Sequence, residues 1–296
     1  MNKKGFLSTS LVYSFFLVFL MLLLFIVTNL INNRILVTRI NNQIKEDIYS
    51  DEFNYYLINL AKDERNNLIY QNTLGSFNDY SYRFVGENPN NYVCFGSNTS
   101  PCPSNNLYRM IGIIDGNIKL IKYEPIKNFA IDLESGEYSS TRLINYLNSS
   151  MLDTTTYFDT IKDYIDLIKP TTWHIGGIND SIDFADKVVV YNEEMVSTTI
   201  LREVGLMYIS DFLGASDADG NNWLKVENNT WFITKLIMND DSLAKYYYLD
   251  STSNILTAEV TNEYDIYPVF YLKSTIKLIS GDGTKDNPYF IGGSNV

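Results

Sequence analysis

The sequence predicts an α+β protein: an N-terminal transmembrane helix, a helical stem continuing from it, and a mostly antiparallel β head. Three observations carry that expectation. No charge occurs between Phe6 and Ile31. Val37, Ile40, Ile44 and Ile48 then recur at spacings of three and four among polar residues, the period of an amphipathic helix. From Tyr80 the apolar period changes to two, and the strands so marked lie far apart in sequence, which is not the alternation of βαβ units. The implied division is a basic leader at 1–5, a membrane helix at 6–31, a stem at 32–75 and a head at 76–296.

At about 1.5 Å per residue, a helix over the uncharged run exceeds a hydrocarbon core of about 30 Å. The run ends in Thr28-Asn29-Leu30-Ile31-Asn32-Asn33-Arg34 without a small-residue cleavage pattern, which favours a retained signal anchor over a removed secretory signal. Lys3 and Lys4 before the run and Arg34, Arg39 and Lys45 after it leave the positive-inside rule close to a tie. The two cysteines break it. Cys94 and Cys102 flank a Gly/Ser/Asn/Pro loop, the pattern of a short disulfide-closed loop, and a disulfide needs an oxidising compartment. The expected location is the cell membrane, single-pass, with the C-terminal domain extracellular and the membrane itself as a partner.

Along the head, residues 51–75 extend the stem as helix, and strands are expected at 80–86, 92–96, 107–114 and 117–124. Asp115-Gly116 joins the last two as a hairpin, because both turn positions favour positive φ. Residues 142–152 and 157–168 show helical apolar spacing, and Pro170 ends the second. Further strands are expected at 187–191, 204–210, 231–237, 245–250, 255–261, 266–273 and 288–291.

Composition bounds the chemistry. A net charge of −12 over 296 residues disfavours nucleic acid, whose phosphates need clustered Lys and Arg. His174 is the only histidine and sits between Trp173 and Ile175, so it is expected to be structural. Pairing of the two cysteines would remove the one thiol nucleophile. The carboxylate pairs Glu193-Glu194 and Asp240-Asp241 are adjacent residues that face opposite ways on a strand, and no phosphate-binding glycine loop occurs. The chain is not expected to be an enzyme.

Two candidate binding features remain. Asp217, Asp219 and Asn221 place oxygens at alternate positions of a tight loop, like the opening of a calcium-binding EF-hand loop, with Asn222 available for a left-handed conformation. The twelfth position is Asn228 rather than a bidentate Glu, and Trp223 falls inside the loop, so a solvated turn is the alternative. Calcium is the single cofactor candidate. Trp223, bordering that polar loop, is the candidate ligand anchor, with a core position as its alternative, while Trp231 is expected in the core.

Two resemblances add to this. Lys3-Lys4-Gly5-Phe6 before an apolar helix resembles a type IV prepilin leader, which is cut after the glycine, although the Glu that most pilins carry five residues into the mature chain is Ser10 here. Residues 107–112, Thr172–Gly177, Val204–Asp211, Asn222–Leu224, Trp231–Thr234 and Pro268–Lys273, leading into 281–284, together resemble a family of uncharacterised membrane-anchored surface proteins of Gram-positive bacteria. That resemblance, over residues 80–290, implies a C-type-lectin-like head of the formylglycine-generating-enzyme type. Related sequences often carry Arg where this chain has Lys235 and Tyr267, and the cysteine pair used by the formylglycine-type enzymes is absent. The function so implied is adhesion or ligand binding, with a glycan or a host or neighbouring surface protein as partner. A minor pilin-like component, associating with pilin-like subunits, is included in that reading. The alternatives are a purely structural subunit of a pilus-like or cell-envelope assembly and, third, an exported enzyme.

Overall fold

The computed structural model describes residues 13–14, 16–21, 27, 52–62, 68–71, 81–133, 141–196, 198–237 and 244–292. The chain divides into two compact units, Met1–Ile48 and Tyr49–Val296. In the first, the described residues are helical and exposed. No helix among the described residues is long and apolar enough to cross a membrane. This overturns the expected transmembrane helix at 6–31. The signal anchor, the membrane as partner and the single-pass location with an extracellular C-terminal domain go with it. An uncharged run fixes hydropathy but not a length of continuous helix, and a span needs a continuous helix of roughly 30 Å. The leader at 1–5, with its cleavage position, lies outside the described residues, as do stem residues 32–51. Beyond them Glu52–Lys62 is a helix, but Leu68–Gln71 is a strand, so the stem does not run to 75.

The expected α+β class is also corrected. Among the described residues the second unit is mostly β, and its helices are short. Its strands begin with β1 (Leu68–Gln71), β2 (Ser81–Phe84), β3 (Tyr92–Cys94), β4 (Leu107–Ile114), β5 (Asn117–Lys122) and β6 (Ile126–Ala130). There follow β7 (Ile168–Lys169), β8 (Thr171–His174), β9 (Thr199–Arg202), β10 (Val204–Gly205), β11 (Thr230–Lys235) and β12 (Lys245–Leu249). The last are β13 (Ile255–Glu259), β14 (Glu263–Ile266), β15 (Val269–Leu272), β16 (Lys277–Ser280) and β17 (Tyr289–Gly292).

A ten-stranded sheet, curled as a half-barrel, runs β10-β15-β5-β4-β3-β17-β16, with β2 also on β4, β1 on β2 and β7 on β15. Five further strands pair in the order β13-β12-β11-β14-β6, and β8 pairs with β9. The β4–β5 hairpin turns on Asp115 and Gly116 at φ 49° and 74°, the left-handed pair that the sequence favours. Strand β17 pairs in parallel with β3, Tyr289 opposite Val93 and Phe290 opposite Cys94.

Register sets up one row across the large sheet. Arg83 on β2 faces Gly112 on β4, Gly112 faces Lys119 on β5, and Lys119 faces Tyr271 on β15. Gly112 is required by closeness: a Cβ there would lie 2.0 Å from the Tyr82 carbonyl oxygen. The apolar packing around this sheet includes Phe95, Tyr108 and Phe270, whose rings meet at 5.0–5.7 Å between centroids.

Two segments expected as strand contain helix. Lys187–Met195 has the β-branched run Val188-Val189-Val190, but Asp186 accepts the Val188 and Val189 amides and so caps a helix start. After the short strand β10, Ile209–Gly214 is helical, and Asp211 Oδ2 accepts the Tyr208 amide at 2.9 Å. In both cases a local carboxylate outweighs the strand propensity of the apolar residues. The two helices are then joined by Glu194, which accepts the Ile209 amide at 3.0 Å and the Ser210 amide at 3.1 Å.

Candidate functional site

A cleft of about 560 Å³ opens where the end of β5, the turn after it, the segment 223–228 and the junction of β14 and β15 meet. Backbone bonds hold these pieces in place: Lys122 N–H donates to Pro268 O at 2.9 Å, and Asp265 N–H to Asn229 O at 2.8 Å. Asn222 fixes the entry to the third piece. Its Nδ2 donates to Phe212 O at 2.7 Å and to Ser216 Oγ at 3.0 Å, while its Oδ1 accepts the Leu224 amide at 2.8 Å. Trp223 is thereby turned inward.

The floor is a cation packed on two rings. The Arg109 guanidinium carbon lies 4.5 Å from the Tyr92 ring centroid and 4.3 Å from the Trp223 ring centroid. Arg109 Nε donates to Asn91 Oδ1 at 2.8 Å, and Trp223 Nε1 donates to Phe84 O at 2.7 Å. Burial pulls the Arg109 pKa down to about 10, with the neighbouring tyrosines acting the other way. Such a cation packed on two rings is a desolvated cation–π arrangement.

Trp223 therefore lines the cleft but is only 6% exposed, and its one donor is used inside the protein. The half-buried aromatic faces belong to Tyr123 and Tyr267. Burial, then Asp265 and Glu227, pushes the Tyr267 hydroxyl up to about 12, so it stays a donor at neutral pH. Around them stand Lys122, Lys127 and Lys225 against Glu124 and Glu227, a nearly balanced set. Asp265 is occupied by the Asn128 amide at 3.3 Å and Asn228 Nδ2 at 3.1 Å. Sequence reasoning located Trp223 and named Tyr267 only as a departure from an arginine, but missed Tyr123; its signal was an isolated aromatic between charged neighbours, Lys122-Tyr123-Glu124.

The loop carrying Asp217, Asp219 and Asn221 is closed by its own hydrogen bonds. Asp217 Oδ1 accepts the Asp219 amide at 3.0 Å and the Asn221 amide at 2.9 Å, and Oδ2 accepts Asn221 Nδ2 at 3.1 Å. The Asn221 side chain, with these amides, holds the Asp217 carboxyl below its ordinary pKa. Asp250 closes residues 250–254 with the same bonds to the Thr252 and Asn254 amides and Asn254 Nδ2, with Thr252 in the place of the second acid. The same hydrogen-bonded turn thus forms whether an acid or a threonine holds the third position. The left-handed residue is Gly220, φ 82°, and not Asn222. Among the described residues no group of three or more His, Cys, Asp or Glu is placed to hold a metal.

Cys94 and Cys102 form a disulfide, as the loop composition predicts. His174 is half-buried, its amide donating to the Tyr208 hydroxyl at 2.7 Å. Asp240 and Asp241 lie outside the described residues. No family model, curated protein or solved structure matches this chain.

Proposed function

We propose that the second unit is a ligand-binding module whose cleft takes a short, uncharged saccharide, with no catalytic role. The observation that carries this reading is the convergence of the half-buried Tyr123 and Tyr267 on one cleft floored by Tyr92, Arg109 and Trp223, with Tyr123 held by Lys285, whose Nζ lies 4.8 Å from its ring and donates to its hydroxyl at 2.9 Å. Aromatic faces accept the C–H faces of a sugar ring, and the amphipathic Tyr supplies both the apolar body and a hydroxyl partner. The near balance of lysines and glutamates favours many hydrogen bonds over capture of one charge.

The test is a glycan array probed with the full-length chain, followed by titration of the best saccharide. Tyr123→Ala and Tyr267→Ala should each weaken binding at least tenfold and leave the melting temperature within a few degrees. Absence of any saturable glycan binding, or undiminished binding in both variants, would remove the proposal.

A further inference from the structure

A second cavity, of about 320 Å³, lies apart from the aromatic cleft, and no residue lines both. The row described above builds its wall: Arg83 and Lys119 flank Gly112 on neighbouring strands, and Asp211 reaches between them from the helix Ile209–Gly214. Arg83 Nη1 donates to Asp211 Oδ1 at 3.1 Å, and Lys119 Nζ to Oδ2 at 2.5 Å. Both cations are 1% exposed. Two positive groups therefore share one carboxylate. The nearby carboxyl Glu194 restores the balance only in part, because burial pushes its pKa up to about 7 and its oxygens already accept the Ile209 and Ser210 amides. At the rim Lys169 and Asp115 offset each other.

Two further facts point to a ligand. Arg83 Nε, on a side chain that is almost wholly buried, has no hydrogen-bond partner among the described residues. A buried N–H left unsatisfied is destabilising, and more so on a charged group. The walls are aromatic as well: Lys119 Nζ lies 4.8 Å from the Tyr208 ring, 5.2 Å from Tyr271 and 5.7 Å from Trp173.

We propose that this cavity binds a small organic monocarboxylate. Arg83 Nε–H and the Lys119 ammonium receive its charged head, and Trp173, Tyr208 and Tyr271 enclose its apolar body. A single excess positive charge matches a monoanion and leaves a dianion over-charged. The planar fork of an arginine suits a carboxylate.

The test titrates the full-length chain with sodium benzoate, with its neutral isostere benzamide and with inorganic phosphate. It follows the indole N–H resonances, with that of Trp173 assigned through Trp173→Phe. Benzoate should move the Trp173 signal saturably, while benzamide and phosphate should not. Arg83→Lys, which keeps the charge but removes the Nε–H, should weaken benzoate at least tenfold; if that variant fails to fold, the wild-type comparison of the three probes still decides. A response to benzamide equal to that of benzoate, or to phosphate in its place, overturns the proposal. So does benzoate affinity unchanged in Arg83→Lys, movement of the Trp223 signal instead, or no saturable response. Because Trp223 belongs to the other cleft, failure here and failure of the saccharide reading are told apart.

Discussion

Lys119 and Asp211, 92 residues apart in sequence, meet inside the protein with Nζ 2.5 Å from Oδ2, both side chains almost fully buried. Burial pulls the lysine pKa down, while Asp211 pulls it back. For Asp211, burial raises the pKa, but the combined fields and bonds of Lys119 and Arg83 hold it below the ordinary carboxylate value. The carboxylate is what makes the two cations tolerable there.

Asp211→Asn should accordingly cost about 3–5 kcal/mol of unfolding free energy, because it strands two buried charges. Urea unfolding of the full chain measures it. A loss under about 1 kcal/mol would mean that solvent reaches the cluster and screens it.

Glu194 gives stability a pH dependence of opposite sign to Asp211. Burial raises its folded pKa from 4.5 to about 7 against the hydrogen bonds of Ser210 and Thr234. The folded state then holds a proton that the unfolded chain has lost. The contribution is fully present below pH 4.5 and disappears as pH rises through about 7, a change on the order of 3 kcal/mol. Asp211 acts the other way, its contribution present above its ordinary value of 3.8 and lost as pH falls below it. Urea midpoints should fall between pH 5 and pH 8, and Glu194→Gln should flatten that slope. A flat wild-type profile would contradict it.

Trp223→Ala should destabilise the protein by about 3–5 kcal/mol, since it removes a buried indole and one of the two rings packed on Arg109. Trp223→Phe keeps the ring but leaves Phe84 O without its donor, at a cost of about 1–3 kcal/mol. Thermal unfolding of both variants checks the order. Equal, negligible losses would place Trp223 in solvent.

Reduction of the Cys94–Cys102 bond should lower stability by about 2–3 kcal/mol, the chain-entropy value for so short a loop. The native protein should show no titratable thiol until reduced, and two reactive thiols beforehand would deny the bond.

How much of this was legible depended on range. The Asp115-Gly116 hairpin and the cysteine loop were readable because their signals are local: a turn needing positive φ, and two thiols across a few polar residues. Strands β4, β5, β12 and β13 were readable from alternation. The helix Lys187–Met195 was not, because Val188-Val189-Val190 satisfies strand propensity and the deciding cap, Asp186, is one residue outside the run. Arg83 and Lys119 alternate with apolar neighbours and so read as solvent-facing, yet the curled sheet and the helix carrying Asp211 bury both. Trp223 was found beside the cleft, with anchor and core positions both open, and its burial was not legible because its partners, Arg109 and Tyr92, come from a different part of the chain. The uncharged run after Phe6 carries hydropathy but no measure of helix length, and no helix among the described residues is long and apolar enough to cross a membrane.

The parallel pairing of β17 with β3 governs the order of assembly. Strand β3 leaves the ribosome early and must wait nearly two hundred residues for its partner. Until then one side of it is an open template, bordered by the apolar residues Val93 and Phe95, and open strand edges recruit other chains. Contacts of such long sequence separation also close late, after most of the chain entropy has been lost. Nascent chains arrested before Tyr289 should therefore be the aggregation-prone species during synthesis, and the last strands act as the latch that ends that exposure.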